Sequence, residues 1–458
     1  MTERLVVVGG DAAGMSAAMQ VRRRRPEVEV VVLERTTWTS YSACGIPYLV
    51  GGIVDDIDDL VARTPQSFRD EHGVDVRTGH EVRALDLDAA EVEAWDHTAG
   101  RTVRLPYDQL HVATGAVPVR PPLPGLDLPF VHGVQTLDDA ARLIERVQDA
   151  GGTRAVIVGG GYIGVEMAES FAQRGGDVTL LTAADQLMPT LDADMAAPLA
   201  DEARKVGVDV RLSTEVEGVE AAGGDAPGGT VVAGGESFPA DVVILGLGVR
   251  PNSALLGAAG VELGVRDAVR VDRRQRTSAD GVFAAGDCCE SFHVIAREPV
   301  HIPLGTVANK QGRVAGINLA GDYASFPGVL GTAVSRMCRT EVGRTGLSER
   351  EAEQYGFGYV AATVHATSRA GYFPDAERIT VKALAERVTR RVIGAQVVGR
   401  EGAAKRIDVL ATAMWAGMTV DDVVELDLGY APPFGPVWDP VHLVARRLVK
   451  LLDGSPAS

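Results

Sequence analysis

The sequence predicts an α/β protein that contains two nucleotide-binding units of the Rossmann type. Two stretches, residues 4–34 and 153–182, each run from an apolar strand through a glycine-rich turn into a helix and then into a second apolar strand. In this order the amide groups at the start of the helix face the turn, where they can bind a phosphate. The chain of 458 residues also exceeds the size of a single core, so two or three domains are expected.

The first unit turns from strand to helix between Gly9 and Gly14. Glu34 ends the second strand, 20 residues after Gly14, which is the distance from which an acid reaches a ribose hydroxyl. Asp11 occupies the position of the middle glycine in the Gly-x-Gly-x-x-Gly pattern. The small residues Gly9, Ala13 and Gly14 nevertheless let the backbone approach a pyrophosphate, so a dinucleotide site is predicted here.

Two later stretches are predicted to join the first unit. Leu110–Pro118 is typical of a strand that ends in a turn of small residues around Thr114. Thr277–Cys288 is typical of a strand that ends at Asp287, whose carboxylate could accept hydrogen bonds from the hydroxyls of a ribityl chain. An ordinary turn at Thr114 and a loop-capping role for Asp287 remain open from these residues alone.

The second unit carries the complete Gly-x-Gly-x-x-Gly spacing in Gly159, Gly161 and Gly164, after a strand and before a helix. This agreement of strand, turn and helix predicts a second dinucleotide site. Thr182 stands where an acid would favour NADH, and no arginine stands beside it to bind the 2′-phosphate of NADPH. The residues therefore leave the choice between the two nucleotides open.

Composition excludes several classes of function. The net charge of −17 argues against a nucleic-acid-binding protein, which would show a basic stripe. No apolar run approaches the roughly 20 residues of a membrane span, and the N-terminus lacks a secretion leader. Four cysteines do not form a disulfide framework, so we expect a cytoplasmic protein with reduced thiols. The spacing of histidines and carboxylates indicates no metal site.

The order of the motifs, from the first glycine-rich turn through "ATGA" and the second glycine-rich turn to "VFAAGD", resembles the pyridine nucleotide-disulfide oxidoreductase family over nearly the whole chain. The resemblance implies a glutathione reductase-like fold with FAD in the first unit and NADH or NADPH in the second. It also implies a C-terminal α+β dimerisation domain and a homodimer. The implied segments are 1–115 and 250–325 for the FAD-binding domain, 116–249 for the NAD(P)H-binding domain and 326–458 for the dimerisation domain.

The same resemblance implies which residues contact the two cofactors. Those at FAD are Gly9, Ala13, Gly14, Glu34, Arg35, Ser42, Val82, Ala113, Thr114, Gly115, Gly286, Asp287, Pro303, Leu304 and Gly305. Those at the nicotinamide nucleotide are Gly159, Gly161, Tyr162, Ile163, Gly164, Glu166, Thr182 and Gly246. The ring of Tyr162 is expected to act as a movable cover over the flavin.

Cys44, in "SYSACGIPY", follows the first unit closely. Many family members have a Cys-x4-Cys pair beside the flavin, but the residues five positions before and after Cys44 are Thr39 and Leu49. The chain therefore resembles the single-cysteine branch of the family, in which the thiol is the redox centre and the substrate supplies the second sulfur. We expect the nearby flavin and the turn amides to lower the pKa of Cys44. Cys288 and Cys289 are interpreted as structural thiols, and Cys338 as a buried strand residue.

Within that branch the sequence is most similar to coenzyme A-disulfide reductases. The likeness implies that Tyr372 and Tyr430 reach the active site of the other subunit of the dimer as catalytic groups. It makes coenzyme A a further candidate ligand and implies that the substrate contacts are Met15, Gln20, Arg23, Ser40, Asn309 and Arg313. Two positions depart from the pattern, because Ala43 replaces an asparagine and His72 replaces a lysine.

Four hypotheses for the function follow. The first is an FAD-dependent NAD(P)H oxidoreductase that reduces a small disulfide, foremost coenzyme A disulfide, through a mixed disulfide with Cys44. The second is a persulfide or polysulfide reductase with the same thiol. The third, an NADH oxidase or electron carrier that cycles a sulfenic acid, is disfavoured by Ala12, where the oxidases carry a histidine. The fourth is a redox-sensing flavoprotein with little turnover.

Overall fold

The computed structural model describes residues 3–148, 152–223 and 228–454. The outer ends of the two terminal predicted segments, residues 1–2 and 455–458, lie outside this range. None of the helices in the described ranges is long and apolar enough to cross a membrane.

The first part of the chain alternates strands and helices before an antiparallel three-stranded sheet. The parallel strands of this part are rich in β-branched residues and are buried on both faces, as is usual for a parallel sheet that helices cover. The elements are β1 (Arg4–Val8), α1 (Ala12–Arg24), β2 (Glu29–Leu33), α2 (Ile46–Val50), α3 (Pro65–His72), β3 (Asp75–Arg77), β4 (His80–Asp86), β5 (Glu91–Asp96), β6 (Arg101–Pro106) and β7 (Gln109–Val112).

The middle part builds a second parallel sheet with the order β12-β11-β10-β16-β9. Its elements are β8 (Ala116–Pro118), β9 (Val131–His132), α4 (Leu137–Gln148), β10 (Arg154–Val158), α5 (Tyr162–Gln173), β11 (Asp177–Leu181), α6 (Ala193–Lys205), β12 (Asp209–Arg211), β13 (Val216–Ala221), β14 (Gly229–Ala233), β15 (Glu236–Ala240), β16 (Val242–Leu245) and β17 (Val249–Pro251). Strands β8 and β17 pair with each other where the chain enters and leaves this part.

The chain then returns to the first sheet. Its elements there are α7 (Ala254–Ala258), β18 (Val282–Ala284), β19 (Ser291–Phe292), β20 (Pro299–Val300) and α8 (Gly305–Leu319). Strand β18 adds to the edge of the first sheet in the order β18-β7-β1-β2-β3. Helix α8 packs closely on α1, because a Cβ atom on Gly312 would overlap the backbone of Ala13. Residues almost 300 positions apart in sequence thereby form the walls of one site.

The C-terminal part is an antiparallel five-stranded sheet, β21-β22-β25-β24-β23, packed against helices. Its elements are β21 (Ala333–Met337), β22 (Thr340–Gly346), α9 (Glu349–Gln354), β23 (Tyr359–Thr367), β24 (Arg378–Glu386), β25 (Val392–Gly399), α10 (Ala403–Trp415), α11 (Val420–Val424) and α12 (Pro440–Leu452). We call these three regions the first unit, the second unit and the C-terminal unit.

Cys338 lies in the turn between β21 and β22, not in a strand. It is half-buried and has a φ of +54°, which is uncommon for a residue with a side chain. The prediction of a buried strand residue was therefore wrong. No glycine or proline marks the turn in the sequence.

Buried ion pairs fix the second unit to the C-terminal unit. The ammonium of Lys382, on β24, lies 2.8 Å from Asp194, 3.1 Å from Asp192 and 2.5 Å from Glu349. These three carboxylates come close enough together to resemble a metal site, but the lysine already supplies a positive charge among them. The side chain of Lys382 is 5% exposed and that of Asp192 is 8% exposed, so this ion pair between the two units is shielded from water.

Candidate active site

The first glycine-rich turn is a tight contact of three chain segments. Gly9 has a φ of +104°, and a Cβ atom there would overlap the carbonyl oxygen of Ala113. A Cβ atom on Gly14 would overlap the carbonyl oxygen of Gly9, which brings α1 close to β1. Both positions therefore require glycine. The turn leaves the start of α1 open, because Asp11 at its N-cap makes no side-chain capping bond.

The second turn repeats this construction. Gly159 has a φ of +112°, a Cβ atom there would overlap the carbonyl oxygen of Gly246, and one on Gly164 would overlap that of Gly159. Gly161 at the N-cap of α5 faces open space. Helix N-termini without side-chain caps offer free amide donors and a positive dipole end, which suit a pyrophosphate.

A cleft of about 540 Å³ opens at the carboxyl end of the first sheet. Most of the predicted FAD contacts line it: Gly9, Glu34, Arg35, Ser42, Val82, Ala113, Thr114, Gly115, Asp287 and Gly305. Other predicted FAD contacts do not: Ala13, Gly14, Gly286, Pro303 and Leu304. Gly286 packs against Ala13, since a Cβ atom on Gly286 would lie 2.9 Å from the Cβ of Ala13.

The carboxylate of Glu34 is oriented by amides of the protein. One oxygen accepts from the Gly10 amide at 2.8 Å, and the other accepts from the amide and the hydroxyl of Thr36, each at 2.8 Å. Glu34 thus projects into the cleft in a fixed position from the end of β2, where an acid can receive ribose hydroxyls.

Asp287 is the polar group whose surroundings indicate a ligand most directly. It lies at the cleft, and its Oδ1 atom is buried without a hydrogen-bond partner. Burial raises its pKa to about 6. Its backbone is held firmly, because its carbonyl oxygen lies 2.8 Å from Nε2 of His301 and the neighbouring Gly286 amide donates to Gln311 at 2.9 Å. A ribityl hydroxyl of FAD would satisfy this acceptor, so the cleft fits that cofactor.

Asp11 was not identified as a site residue from the sequence, although its position in place of a glycine was a signal. It lines the cleft, and its Oδ1 accepts from the Tyr41 amide at 3.2 Å. Burial raises its pKa to about 6, and Glu34 and Asp287 add to this effect, while the Tyr41 amide opposes it. Asp11 therefore links the first glycine-rich turn to the loop that carries Cys44.

Cys44 lies in a single 3-10 turn, Ala43–Gly45, and is exposed to the cleft. The protein raises the pKa of this thiol above its ordinary value, first through partial enclosure and then through the charges of Glu166, Asp287 and Asp11. The expected lowering by backbone amides is present but weaker. The prediction that turn amides keep the pKa low was therefore wrong for the groups of the protein itself, because partial burial of the thiol and then three nearby carboxylates outweigh the amides.

The loop before the thiol separates the cleft from a second pocket of about 440 Å³. Ser40 lines the second pocket, whereas Tyr41, Ser42 and Cys44 line the cleft. All six predicted substrate contacts, Met15, Gln20, Arg23, Ser40, Asn309 and Arg313, line this second pocket. We call it the substrate pocket. Asn309 lines both the cleft and the substrate pocket, so the two cavities adjoin.

Four cationic side chains surround the substrate pocket: Arg23, Arg63, Lys310 and Arg313. Within the described parts of the chain, Arg23, Lys310 and Arg313 make no hydrogen bond or ion pair. Arg63 stacks over Phe68 with its guanidinium carbon 5.8 Å from the ring centre. Sequence reasoning missed Arg63, which only the packing of the 57–63 loop brings here, and Lys310, although it directly follows Asn309 on α8.

At the second turn, Tyr162 is half-buried, and burial raises the pKa of its hydroxyl. Glu166 accepts from Ser335 of β21 at 2.8 Å, and burial raises its pKa despite this bond. Thr182 is buried after β11, and its hydroxyl accepts from the Ala184 amide at 3.3 Å. Ile163 follows Tyr162 in the first turn of α5.

Tyr372 and Tyr430 lie outside the cleft and the substrate pocket of their own protomer. Tyr372 is 77% exposed and Tyr430 is 49% exposed. The two tyrosines are neighbours. Desolvation and then the nearby Tyr372 hydroxyl raise the pKa of Tyr430. Cys288 and Cys289 are buried free thiols, with sulfurs 3.7 Å apart, beneath the cleft.

Comparison with known proteins identifies the family. The pyridine nucleotide-disulphide oxidoreductase profile matches residues 3–312, and the dimerisation-domain profile of the same family matches residues 332–440. The chain therefore belongs to the pyridine nucleotide-disulphide oxidoreductases. It is an FAD-dependent oxidoreductase that uses NAD(P)H, with a mixed α/β fold and a C-terminal dimerisation domain, as the sequence predicted.

Individual relatives cover nearly the whole chain. An NAD(P)H coenzyme A polysulfide/persulfide reductase of Pyrococcus horikoshii is 37% identical over 98% of this chain and 99% of its own. An NADH oxidase of Methanocaldococcus jannaschii is 34% identical over 98% of this chain and 99% of its own. The crystal structure of reduced Bacillus anthracis CoADR-RHD superposes with a TM-score of 0.95 and 33% identity, over 99% of this chain and 81% of that one.

Proposed function

We propose that the protein reduces coenzyme A disulfide with NAD(P)H, through a mixed disulfide on Cys44. The observation that carries this proposal is the substrate pocket, which adjoins the thiol loop and presents three cations that have no partner among the described residues. Coenzyme A is a thiol with a phosphorylated ADP end, so it matches both features. Guanidinium groups bind phosphate through paired donors, which suits Arg23 and Arg313.

The reaction requires Cys44 as a thiolate. That thiolate attacks one sulfur of the incoming disulfide, so the Cys44–sulfur bond forms, the substrate disulfide bond breaks, and one coenzyme A leaves as a thiolate. The chemistry that bound FAD supplies is the transfer of two electrons from the nicotinamide to the mixed disulfide. The Cys44 thiolate and the second coenzyme A thiolate are then released from each other.

We assign the remaining predicted site residues to this reaction. Gly9, Glu34 and Asp287 hold FAD in the cleft. Gly161 and Glu166 lie at the nicotinamide nucleotide, and Tyr162 covers the flavin. Cys44 is exposed to the cleft, and its pKa is raised, so bound FAD and substrate must favour the thiolate.

The partner subunit completes the site in this proposal. A mostly apolar groove of about 770 Å³ runs between α8 and α10, and Lys310 and Arg313 line both this groove and the substrate pocket. The segment of residues 429–438 presents Tyr430, Phe434 and Trp438 to solvent. In a homodimer, insertion of this segment into the groove of the other subunit would place its Tyr430 and the adjacent Tyr372 beside the substrate pocket. Their phenols would donate a proton to the departing thiolate.

A persulfide or polysulfide is the second candidate substrate, favoured by the name of the Pyrococcus horikoshii relative. The same thiolate would take the outer sulfur of a persulfide, and reduction would release it as sulfide. The oxidase hypothesis has a relative in its favour, but Ala12 offers no proton donor in the wall shared by the cleft and the substrate pocket.

The segment boundaries and the cellular location are part of the proposal. The first sheet unites strands from before residue 115 and after residue 250, which supports a divided FAD-binding domain. A cytoplasmic location is supported by the four free thiols, the state that a reducing compartment maintains.

The test is anaerobic consumption of NADH and NADPH by the FAD-bound enzyme, with coenzyme A disulfide and with polysulfide. The double variant Arg23→Gln/Arg313→Gln should raise KM for coenzyme A disulfide by about tenfold or more, since two charge-assisted phosphate contacts are lost. Arg24→Gln is the matched control, because Arg24 lies on the same helix end but pairs with Asp322 at 3.3 Å.

Cys44→Ser should abolish turnover of coenzyme A disulfide while NAD(P)H still reduces the bound FAD. Turnover of polysulfide without turnover of coenzyme A disulfide would move the assignment to the second candidate. Equal KM values for the wild type and the double variant would remove the phosphate-binding role of the pocket.

A further inference from the structure

Helix α5, which begins at the second glycine-rich turn, is held by both other units through one of its faces. Glu166, Glu169 and Ser170 are spaced i, i+3 and i+4, so their side chains point the same way. Glu166 accepts from Ser335 of β21 at 2.8 Å. Ser170 donates to the carbonyl oxygen of Pro47 at 2.6 Å, in the short helix that follows Cys44.

Glu169 is the most buried carboxylate of this face and has no place in the reaction described above. Its side chain is 5% exposed. One oxygen accepts from the Cys338 amide at 2.9 Å, in the turn of the β21–β22 hairpin, and the other accepts from Gln173 at 2.8 Å. The guanidinium of Arg336 lies 3.7 Å from the carboxylate and 5.6 Å above the ring of Tyr48.

We propose that Glu169 is a positioning residue for hydride transfer, because its buried carboxylate fixes α5 to the β21–β22 hairpin of the C-terminal unit. The proposal rests on the second turn being the nicotinamide nucleotide site. Glu169 lies roughly 10 Å along the helix from Tyr162, so it does not touch the nucleotide. It acts on the direction in which the first turn of α5 presents the nucleotide to the cleft.

The hairpin turn presents its backbone to the carboxylate of Glu169. Cys338 adopts a φ of +54°, and its amide donates to Glu169. The buried carboxylate therefore receives one donor from the hairpin backbone and a cation from the same hairpin. A hairpin anchored in this way also places Ser335 against Glu166, one helical turn closer to the nucleotide.

Glu202 provides a matched control. It is also a buried carboxylate of the second unit, with a side chain 9% exposed, and it pairs with Arg400 of the C-terminal unit at 2.5 Å. Glu202 lies on α6, however, and that helix does not begin at the glycine-rich turn. Loss of Glu202 weakens the same pair of units without releasing α5.

The experiment compares the FAD-bound wild type with Glu169→Leu, Glu169→Gln and Glu202→Leu. The rate at which NADH and NADPH reduce the bound FAD is measured by anaerobic rapid mixing without any disulfide, so failure of the proposed substrate does not affect the result. Calorimetric binding of NAD⁺ gives the affinity. Hydrogen exchange of the peptides that span residues 162–173 and 333–340 reports the anchoring itself.

Glu169→Leu should slow reduction of FAD by about tenfold or more with NAD⁺ affinity changed less than about twofold, since misplacement of reacting atoms by about 1 Å costs up to 10²-fold in rate. Both peptides should exchange faster. Glu169→Gln keeps an oxygen acceptor for the Cys338 amide and should restore most of the rate. Glu202→Leu should lower Tm without slowing reduction.

Three results would overturn the proposal. They are equal slowing in Glu169→Leu and Glu202→Leu, a slower reaction explained wholly by weaker NAD⁺ binding, and unchanged exchange of the hairpin peptide. If Glu169→Leu yields no folded protein, Glu169→Asp replaces it, because the shorter side chain withdraws the carboxylate from the Cys338 amide. Glu169→Asp should then slow reduction, and a wild-type rate would equally refute the role.

Discussion

Replacement of Asp287 by asparagine should stabilise the FAD-free protein and weaken its binding of FAD. The carboxyl of Asp287 is buried, its Oδ1 has no partner, and burial raises its pKa from 3.8 to about 6. Such a change in pKa corresponds to roughly 3 kcal/mol against the ionised form in the folded protein. Asparagine has nearly the same shape but no charge, so it avoids this cost.

The sign of the pH dependence follows from proton binding. Between about pH 4 and pH 6 the folded protein keeps the proton of Asp287, whereas the unfolded chain has lost it. Because the folded state binds more protons in this window, its stability falls as the pH rises through it and the penalty is complete above about pH 6. The stabilisation by Asp287→Asn should therefore be absent near pH 4 and reach up to roughly 3 kcal/mol at pH 8.

Binding of FAD should change in the opposite direction. A hydrogen bond from a hydroxyl to a carboxylate is stronger than one to an amide oxygen by about 1–1.5 kcal/mol, so Asp287→Asn should weaken FAD binding by about tenfold at pH 8. For the wild type, the affinity should also fall as the pH drops below about 6, where Asp287 becomes protonated. In the asparagine variant this dependence should diminish.

The assay is titration of the FAD-free protein with FAD by flavin fluorescence from pH 5 to pH 8, with denaturant unfolding of the same samples. Asp11→Asn is the companion variant, because Asp11 also has a pKa of about 6 but contacts the Tyr41 amide. It should retain the pH dependence that Asp287 causes. If Asp287→Asn binds FAD as tightly as the wild type and gains no stability at pH 8, the unpartnered oxygen does not await a ligand hydroxyl.

Three further predictions concern other parts of the molecule. Thr182→Asp should raise the ratio of kcat/KM for NADH to kcat/KM for NADPH by about tenfold, because a carboxylate there accepts a hydrogen bond from the ribose hydroxyl and repels the 2′-phosphate. An unchanged ratio would mean that the ribose binds elsewhere. Lys382→Met should lower the free energy of unfolding by about 3–5 kcal/mol in denaturant melts, because the buried carboxylate of Asp192 loses its cation. Lys405→Met, at an exposed lysine, should have little effect, and equal losses in the two variants would contradict the argument from burial. In the FAD-free protein, alkylation of Cys44 should accelerate only as the pH rises past the ordinary pKa of a thiol. Asp11→Asn should shift this pH profile to lower pH, and a profile that does not move would show that the charge of Asp11 does not act on the sulfur.

The two glycine-rich turns were predictable from the sequence because the spacing of their glycines is a local feature. The positive φ of Gly9 and Gly159 is set within one strand–turn–helix unit, whereas the carbonyl groups that exclude a Cβ atom there, those of Ala113 and Gly246, come from a more distant segment. The family resemblance also predicted six substrate contacts, and the structure places these residues in one pocket. Arg63 could not be found in this way, since no motif marks it and only packing brings it to the pocket, whereas Lys310 directly follows Asn309 on α8 and its neighbours were a signal.

The pKa of Cys44 shows a second limit of sequence reasoning. The turn around the thiol is visible in the sequence, and its amides act in the expected direction. The larger contributions come from enclosure and from Glu166, which belongs to another unit and approaches only after the two units dock. The charge state of a thiol is thus set by the tertiary structure, whereas its presence in a turn is set by the local sequence.

An acidic protein can bind a polyanion if some of its cationic side chains have no carboxylate partner within the protein. The chain has a net charge of −17, and two of the four arginines in the run Arg22–Arg25 are paired with carboxylates of the protein itself. Arg25 pairs with Glu3 at 2.8 Å and Arg24 pairs with Asp322 at 3.3 Å, whereas Arg23, within the described residues, keeps its guanidinium free at the substrate pocket. Because a paired cation attracts a phosphate only weakly, the attraction is concentrated where the pocket adjoins Cys44. If the proposed function holds, selectivity for an anionic thiol depends on which arginines lack a carboxylate partner, and the overall charge of the protein does not determine it.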